Sequence, residues 1–203
     1  MFTGLVQGVV KVISILPCGE GLTINFEWDQ SLKLVINDGD SLSLNGICST
    51  VLKCNGTQFS VDYLPETLAK TTVRDWREGH VVNVEPCLTL ETPLGGHVVT
   101  GHVDGVGQVA SLSYSGDFAV LEVAYPSEFD QYLISKGSIS INGISLTVVD
   151  VTDISFTCHL IPHTIANTSL SSCESGQSVN LEFDMMAKYL YRFYECSKGN
   201  KDE

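Results

Sequence analysis

The hydrophobic positions of the chain fall in short segments that predict β-strands. The segments LTINFEW, HVVNVEP, FAVLEVAY and QSVNLEF are rich in valine, isoleucine and aromatic residues. Glycine, asparagine, aspartate or serine interrupts such segments at intervals of about 8 to 12 residues, a spacing typical of antiparallel sandwiches and small barrels. The pattern therefore predicts an all-β protein.

The chain also repeats itself at a constant offset of 97 residues. The phrase SLNGICSTV, which begins at Ser43, returns as SINGISLTV at Ser140, and Pro65 returns as Pro162. Matches at this offset continue over about 80 positions, which chance would not produce. We therefore predict two tandem barrels of about six strands each, at residues 1–93 and 94–184, with a tail at 185–203.

Three short segments predict helical structure between or beside the strands. Pro65 and Pro162 can each occupy the first position of a helical turn. PSEFDQYLISKG predicts a further helix, with Ser127 as a possible N-cap and Gly137 beyond its end.

The C-terminal segment has a different periodicity. Met186, Tyr189, Leu190, Phe193 and Tyr194 recur at intervals of three and four residues, which predicts an amphipathic helix. Its apolar stripe is expected to pack against another chain. Packing of this stripe onto the helix's own barrel is the alternative.

The amino-acid composition argues against two classes of binding partner. The formal net charge is -13 and the chain has 11 lysines and arginines, which argues against binding to nucleic acid or to an acidic membrane surface. No apolar run is long enough to cross a membrane, and MFTGLVQGVV has none of the features of a signal peptide. The expected location is the cytoplasm.

Seven cysteines are present, and none forms the C-x-x-C pair typical of zinc or redox sites. They are expected to be reduced thiols. No histidine pair or motif indicates a metal ion, so no metal site is predicted.

Small polar side chains in the repeated phrase are candidates for ligand contacts. If Ile47–Val51 form a strand, Cys48 and Thr50 share one face, as do Ser145 and Thr147 in the second repeat. Uncharged hydrogen-bonding groups of this kind suit the edge of a neutral heterocycle. The alternative is that these small residues fill a tight barrel interior.

Two further segments carry candidate chemistry. His102, in VTGHVDGVG, can change charge near neutral pH and is a candidate proton carrier, although a structural histidine explains it equally well. Thr67 and Thr164 follow the two prolines at matched positions. They could bind a polyol, or they could belong to a helical turn without a functional role.

Taken together, MFTGLVQG, NGICSTV, GGHVVTGHVDGVG, YLISKGSISINGISLTV and LIPHTIANTSL resemble the riboflavin synthase family, the α-chain type with duplicated lumazine-binding barrels. The resemblance covers residues 1–185. It implies six-stranded Greek-key barrels, a homotrimer and a C-terminal helix that holds the trimer together.

The resemblance also implies a reaction that needs no cofactor. Two molecules of 6,7-dimethyl-8-ribityllumazine dismutate by transfer of a four-carbon unit, which gives riboflavin and a ribitylamino-pyrimidine. The expected partners are therefore this lumazine, riboflavin and further copies of the chain, with no nucleic acid and no membrane.

The site residues implied by the resemblance fall in both repeats. In the first barrel the expected substrate-binding residues are Gly4, Leu5, Val6, Cys48, Ser49, Thr50, Asp62, Tyr63, Leu64, Pro65, Glu66 and Thr67. In the second they are Gly101, His102, Val103, Lys136, Ser145, Leu146, Thr147, His159, Leu160, Ile161, Pro162, His163 and Thr164. The expected catalytic residues are Ser41, Cys48, His102, Thr147 and Asp184.

Two positions depart from the expected pattern. Ser49 stands where relatives commonly have leucine, and its side chain is expected to point away from the pocket. His163 stands where Glu66 of the first repeat would predict a glutamate.

Overall fold

Two closed six-stranded antiparallel barrels and a C-terminal helix make up the computed structural model, which describes residues 1–199. The strands of the first barrel are β1 (Gly8–Cys18), β2 (Gly21–Glu27), β3 (Ser41–Leu44), β4 (Ile47–Asn55), β5 (Gln58–Tyr63) and β6 (Val81–Pro86). Those of the second are β7 (Gly105–Ser115), β8 (Phe118–Ala124), β9 (Ser138–Ile141), β10 (Ile144–Val151), β11 (Ser155–Leu160) and β12 (Ser178–Phe183). The α-helices are α1 (Pro65–Lys70), α2 (Pro162–Asn167) and α3 (Met185–Gly199).

Each barrel is a Greek key. In the first, β3, β4 and β5 are consecutive neighbours, and β6 returns to pair with β3. The second barrel has the same order in β9 to β12. The predicted all-β class, with two tandem six-stranded Greek-key barrels, is confirmed.

The offset of 97 residues relates nearly every element of one barrel to an element of the other. An exception is the 3₁₀ helix Ser127–Tyr132, which belongs to the second repeat. The prediction of Ser127 as an N-cap is wrong, because Pro126 occupies that position and no side chain caps the helix. Phe129 and Tyr132 instead attach this helix to Phe183, with ring centroids 4.9 and 5.9 Å away.

Local sequence explains the tight turns. Asn45 and Gly46 have φ angles of 47° and 81° between β3 and β4, and Asn142 and Gly143 repeat this geometry between β9 and β10. Positive φ at both central residues is typical of a two-residue hairpin turn, which asparagine and glycine tolerate. Proline begins both α1 and α2, as predicted.

Alternation along each strand fills the barrel interiors. In β4, Ile47, Ser49 and Val51 are buried, whereas Cys48 and Thr50 are exposed on the outer face. The prediction that Cys48 and Thr50 share one face of the strand is therefore confirmed. The alternative, in which Cys48 and Thr50 fill the barrel interior, is wrong because both are exposed and Ile47, Ser49 and Val51 occupy the inner face.

One buried pair distinguishes the two cores. The Ser49 hydroxyl lies 2.9 Å from the Tyr63 hydroxyl inside the first barrel. At the matched positions the second barrel has Leu146 and Leu160, both buried. The polar pair therefore replaces an apolar pair, and Ser49 points away from the outer surface, as predicted.

Four buried asparagines join the barrels to each other. The side-chain amide of Asn83 donates to the backbone carbonyl of Asn142, at 2.9 Å. Asn180 donates in the same way to the carbonyl of Asn45, at 2.8 Å. These paired bonds fix the relative orientation of the barrels.

Helix α3 presents two different faces. On its inner face, Lys188 forms a 2.6 Å ion pair with Asp104, and Tyr191 packs edge-on against Tyr132. On its outer face the predicted apolar stripe is exposed, namely Met186, Tyr189, Leu190, Phe193 and Tyr194. The stripe is therefore not packed on its own barrel. Residues 200–203 of the predicted tail lie outside the described residues.

Among residues 1–199, no α-helix combines the length and apolar character that a membrane span requires.

Candidate ligand pockets

The segment that precedes each barrel crosses to the other barrel. Phe2 and Val99 pair with each other as an isolated antiparallel bridge. Beyond this bridge, the carbonyl of Gly4 accepts a 2.8 Å hydrogen bond from the amide of Ser145 in the second barrel. The carbonyl of Gly101 accepts the equivalent 2.8 Å bond from the amide of Cys48 in the first barrel. The two repeats therefore exchange their leading segments.

A buried carboxylate holds each exchanged segment at its base. Glu85 accepts hydrogen bonds from the amide and hydroxyl of Thr3, at 2.7 and 2.6 Å, and from the amide of Gly4, at 3.0 Å. Glu182 does the same for the second segment, with distances of 2.6, 2.7 and 2.9 Å to Thr100 and Gly101. Burial raises the pKa of Glu85, and the bonds from Thr3 and Gly4 oppose that shift. Each carboxylate thus positions a segment that serves the other barrel.

The close approach of the segments explains the glycines in them. A Cβ on Gly101 would lie 2.6 Å from Cβ of Cys48, and one on Gly4 would lie 2.5 Å from Cβ of Ser145. Both glycines also have positive φ angles, 81° and 75°, which other residues rarely adopt. Only glycine fits these two positions without displacing the opposite strand.

This exchange creates two equivalent cavities. The first pocket, a cavity of about 250 Å³, is lined by Ile47, Cys48, Glu66, Thr67, Lys70, Thr71, Gly101, His102 and Val103. The second pocket, of about 380 Å³, is lined by Gly4, Leu5, Val6, Gln7, Ile144, Ser145, His163, Thr164, Asn167 and Thr168. Apart from Gln7, every residue of the second pocket lies 97 positions from a residue of the first.

One expectation about these residues is corrected by the structure. Gly4, Leu5 and Val6 were grouped with Cys48 in the first barrel, but they lie beside Ser145. Gly101, His102 and Val103 were grouped with Ser145 in the second barrel, but they lie beside Cys48. The grouping by sequence order is wrong because the two segments cross between the barrels.

The pockets share a backbone frame but differ in side-chain chemistry. Cys48 of the first corresponds to Ser145 of the second, and His102 corresponds to Leu5. At the helical edge, Glu66 corresponds to His163, and Lys70 corresponds to Asn167. The thiol and imidazole of the first pocket are therefore replaced by a hydroxyl and an aliphatic side chain in the second. The acidic and basic side chains at the helical edge of the first pocket are replaced by an imidazole and an amide.

The expected catalytic residues of the first barrel share one surface. Ser41 pairs with Thr50 across β3 and β4, and Ser43 pairs with Cys48, so all four side chains lie on the outer face. The segment that contains Gly101 lies against Cβ and the amide nitrogen of Cys48, and partial burial raises the pKa of the thiol although the residue stays solvent accessible. Cys48 is therefore a neutral thiol near pH 7.

Of the other three expected catalytic residues, His102 lines the first pocket with Cys48, and Thr147 and Asp184 lie on the second barrel. Thr147 is exposed on β10, opposite Ser138. Asp184 follows β12, and its carboxylate accepts a 2.9 Å hydrogen bond from the amide of Met186 at the start of α3. The five residues therefore form two groups on different barrels of one chain.

Several residues of the expected binding set do not line either cavity. The side chains of Ser49, Tyr63, Leu146 and Leu160 are buried inside the barrels and could reach a ligand only through their backbone groups. The exposed Lys136 has a positive φ of 68°. The remaining ones lie on the outer face of β4 and β10 or in the stretches that lead from β5 into α1 and from β11 into α2, namely Thr50, Asp62, Leu64, Pro65, Thr147, His159, Ile161 and Pro162.

His97 is a neighbour of the second pocket that the sequence did not indicate. Its Nδ1 atom lies 2.7 Å from the Ser145 hydroxyl. The residue has no partner in the repeat pattern, and its position before the second barrel gives no sign that it folds back onto β10. The preceding Gly95-Gly96 pair was the one available signal of a close backbone approach.

Comparison with known proteins agrees with this architecture. A family model described as the lumazine binding domain matches residues 3–86 and again residues 100–184. The chain belongs to the lumazine-binding family that includes the riboflavin synthases. The two matched stretches correspond to the two barrels and their exchanged leading segments.

Full-length relatives carry the name riboflavin synthase. That of Actinobacillus pleuropneumoniae is 38% identical over 193 residues, which cover 95% of this chain and 89% of the relative. That of Bacillus subtilis (strain 168) is 35% identical over 203 residues, with coverages of 100% and 94%. That of Escherichia coli (strain K12) is 37% identical over 185 residues, with coverages of 91% and 87%.

Solved structures share the fold. LumP complexed with 6,7-dimethyl-8-(1'-D-ribityl) lumazine matches with a TM-score of 0.82 at 23% identity, covering 90% of this chain and 99% of LumP. LumP complexed with riboflavin matches with a TM-score of 0.82 at 24% identity and the same coverages.

Proposed function

We propose that the protein catalyses the riboflavin synthase reaction. Two molecules of 6,7-dimethyl-8-ribityllumazine react, and one transfers a four-carbon unit to the other. The products are riboflavin and 5-amino-6-(D-ribitylamino)uracil. The observation that carries this proposal is the presence of two complete, equivalent pockets in a chain whose full-length relatives are riboflavin synthases.

The duplication suits a reaction between two identical molecules. Donor and acceptor have the same shape, so each needs a pocket of similar frame. Holding two reactants in register can lower the barrier by about 7 to 11 kcal/mol, because their relative motion is already lost. The chemical differences between the pockets, such as Cys48 against Ser145, then allow one lumazine to donate and the other to accept.

Residues of the pockets supply the groups that this chemistry requires. One lumazine must lose a proton from its C7 methyl group, and the imidazole of His102, which lines the first pocket, is the candidate proton carrier. Cys48 lines the same pocket, and Ser41, on the same outer face of the barrel, supplies a further hydrogen-bonding group outside the cavity lining. Thr67 and Thr164 line equivalent edges of the two pockets and suit the hydroxyl groups of a ribityl chain.

We also propose that the active form is a homotrimer, in which the first barrel of one chain faces the second barrel of its neighbour. The five expected catalytic residues lie on two barrels, and such a contact would bring the two groups around one pair of substrates. The exposed apolar stripe of α3 supplies a surface suited to this assembly.

A lumazine-binding protein without catalysis is the main alternative, since a single pocket would be sufficient for it. Both pockets are present here, with the Ser145 and Thr164 positions of the second intact. A flavin reductase barrel is a further alternative, but the R-x-Y-S/T flavin motif does not occur in the sequence.

Incubation of the purified chain with the lumazine as sole substrate distinguishes these functions. We expect riboflavin to form without added metal ion or NAD(P)H. Saturable lumazine binding without riboflavin formation would leave the binding function and overturn the enzymatic one.

A further inference from the structure

His97 lies beside the second pocket without lining it. Its Nδ1 atom is 2.7 Å from Oγ of Ser145, and Ser145 lines that pocket. The contact thus joins a hydroxyl of the pocket wall to an imidazole outside the expected site. It gives this hydroxyl a partner within the protein.

The backbone around His97 is built to keep the imidazole in this place. The amide of His97 donates to the carbonyl of Thr3, at 3.2 Å, and Thr3 is itself held by Glu85. A Cβ on Gly96 would lie 2.2 Å from the Thr3 carbonyl oxygen and 2.9 Å from Oγ of Ser145. Only glycine at position 96 therefore lets the chain bring His97 against Ser145.

Burial lowers the pKa of His97, and the nearby carboxylates of Asp184 and Glu182 oppose that shift. A neutral imidazole has one nitrogen that donates and one that accepts. Nδ1 can therefore either accept from the Ser145 hydroxyl or donate to it. In the first case the hydroxyl hydrogen points at Nδ1 and the oxygen can accept a hydrogen bond from a ligand; in the second the oxygen is held and the hydroxyl keeps its own hydrogen to donate.

The first pocket has a different arrangement. In the part of the chain that the structure describes, no side chain hydrogen bonds to the Cys48 thiol, although His102 lines the same pocket. The two equivalent positions, Cys48 and Ser145, therefore differ in their atom type and also in whether the polar group is held.

We propose that His97 is a positioning residue of the second pocket, which orients the Ser145 hydroxyl toward the polar edge of the bound lumazine. This assignment rests on the proposed dismutation of lumazine. It makes the second pocket the one in which a fixed hydroxyl meets the ligand, and it gives the two halves of a symmetric scaffold unequal roles.

A double-mutant cycle tests the proposal. We expect His97→Leu and Ser145→Ala each to lower kcat/KM about tenfold, the effect of losing one well-made hydrogen bond, and the double variant to be no worse than Ser145→Ala. His97→Asn should stay within about threefold of the wild-type kcat/KM, because its side-chain amide can reach the place of Nδ1. His80→Asn, which changes an imidazole at a different cavity, is the matched control.

Additive losses in the cycle, or a wild-type rate in Ser145→Ala, would overturn the proposal. If His97→Leu does not fold, Ser145→Ala and His97→Asn still carry the test. Fluorescence titration with the lumazine repeats the cycle on affinity without turnover. A wild-type chain that binds lumazine but makes no riboflavin would therefore overturn the proposed function, while the coupling between His97 and Ser145 is still measured.

Discussion

The amide of Cys48 donates a 2.8 Å hydrogen bond to the carbonyl of Gly101, a residue of the other repeat. The same relation joins Ser145 to Gly4. Each pocket therefore contains elements of both repeats, and neither half of the chain contains a complete pocket by itself. A change in one repeat is expected to alter the pocket of the other.

Glu182→Gln should loosen the first pocket, although Glu182 belongs to the second barrel. The side-chain NH₂ of the glutamine cannot accept the hydrogen bonds that Thr100 and Gly101 donate to the carboxylate. This loss should lower the free energy of unfolding by about 1 to 3 kcal/mol. Release of the Gly101 segment should raise the alkylation rate of Cys48 several-fold, measured by peptide mass spectrometry against exposed Cys18. Glu85→Gln, the matched control, should leave that rate near the wild-type value. Equal effects of the two variants would contradict the crossed arrangement.

Gly101→Ala should abolish most of the riboflavin synthase activity. The added Cβ would lie 2.6 Å from Cβ of Cys48, so the strand or the segment must move. Gly19→Ala is the control, because Gly19 also has a positive φ, 59°, but no atom lies within 4 Å of its Cβ position. The control should lose about 1 kcal/mol of stability and keep its activity. Full activity of Gly101→Ala would show that the close approach is not required.

Cys48→Ser should retain the fold and part of the activity. Ser145 already serves at the equivalent position, and the raised pKa of Cys48 keeps the sulfur as a thiol, which is a poor nucleophile. Steady-state kinetics of riboflavin formation measure the effect. Complete inactivation, or a covalent adduct on Cys48 detected by mass spectrometry, would contradict this expectation.

Phe193→Glu should prevent assembly. The side chain is exposed in the single chain, and a charge there would have to be buried in the proposed interface. We expect light scattering to give a trimer for the wild type and a monomer for the variant. Arg192→Glu, an exposed change on the same helix, should remain trimeric. A monomeric wild type with full activity would exclude the proposed assembly.

Stability should fall as the pH drops below about 6.5. Burial lowers the pKa of both His80 and His97, so each binds a proton more weakly in the folded state than in the unfolded state. The unfolded state then gains protons preferentially, and stability is lost as the pH falls through this range. Thermal unfolding at pH 7.5 and 5.5 should show a smaller decrease in Tm for His80→Asn than for the wild type. Equal decreases would mean that His80 does not contribute.

The barrels could be predicted because local signals agree with the fold. The repeat offset defines the two halves, and alternation along β4 puts Cys48 and Thr50 on one shared face, which the structure shows to be the outer one. The Asn45-Gly46 turn follows from the conformational range of those two residues. These features depend on neighbours in sequence, so a sequence pattern is sufficient to identify them.

The partners of the exchanged segments could not be predicted in the same way. Gly4 and Gly101 occupy equivalent positions in similar phrases, and either could contact either barrel as far as sequence shows. Which barrel each segment contacts depends on the path of the chain through the bridge between Phe2 and Val99. It also depends on the hydrogen bonds that the segments donate to the carboxylates of Glu85 and Glu182. The contact of His97 with Ser145 follows from that path and was missed for the same reason.

The stoichiometry of turnover tests the central claim most directly. The wild-type chain is incubated with 6,7-dimethyl-8-ribityllumazine alone, and all three compounds are quantified by chromatography. We predict that one riboflavin and one ribitylamino-uracil form for every two lumazines consumed. Lumazine that binds but is recovered unchanged would contradict a chain whose two pockets act together in dismutation.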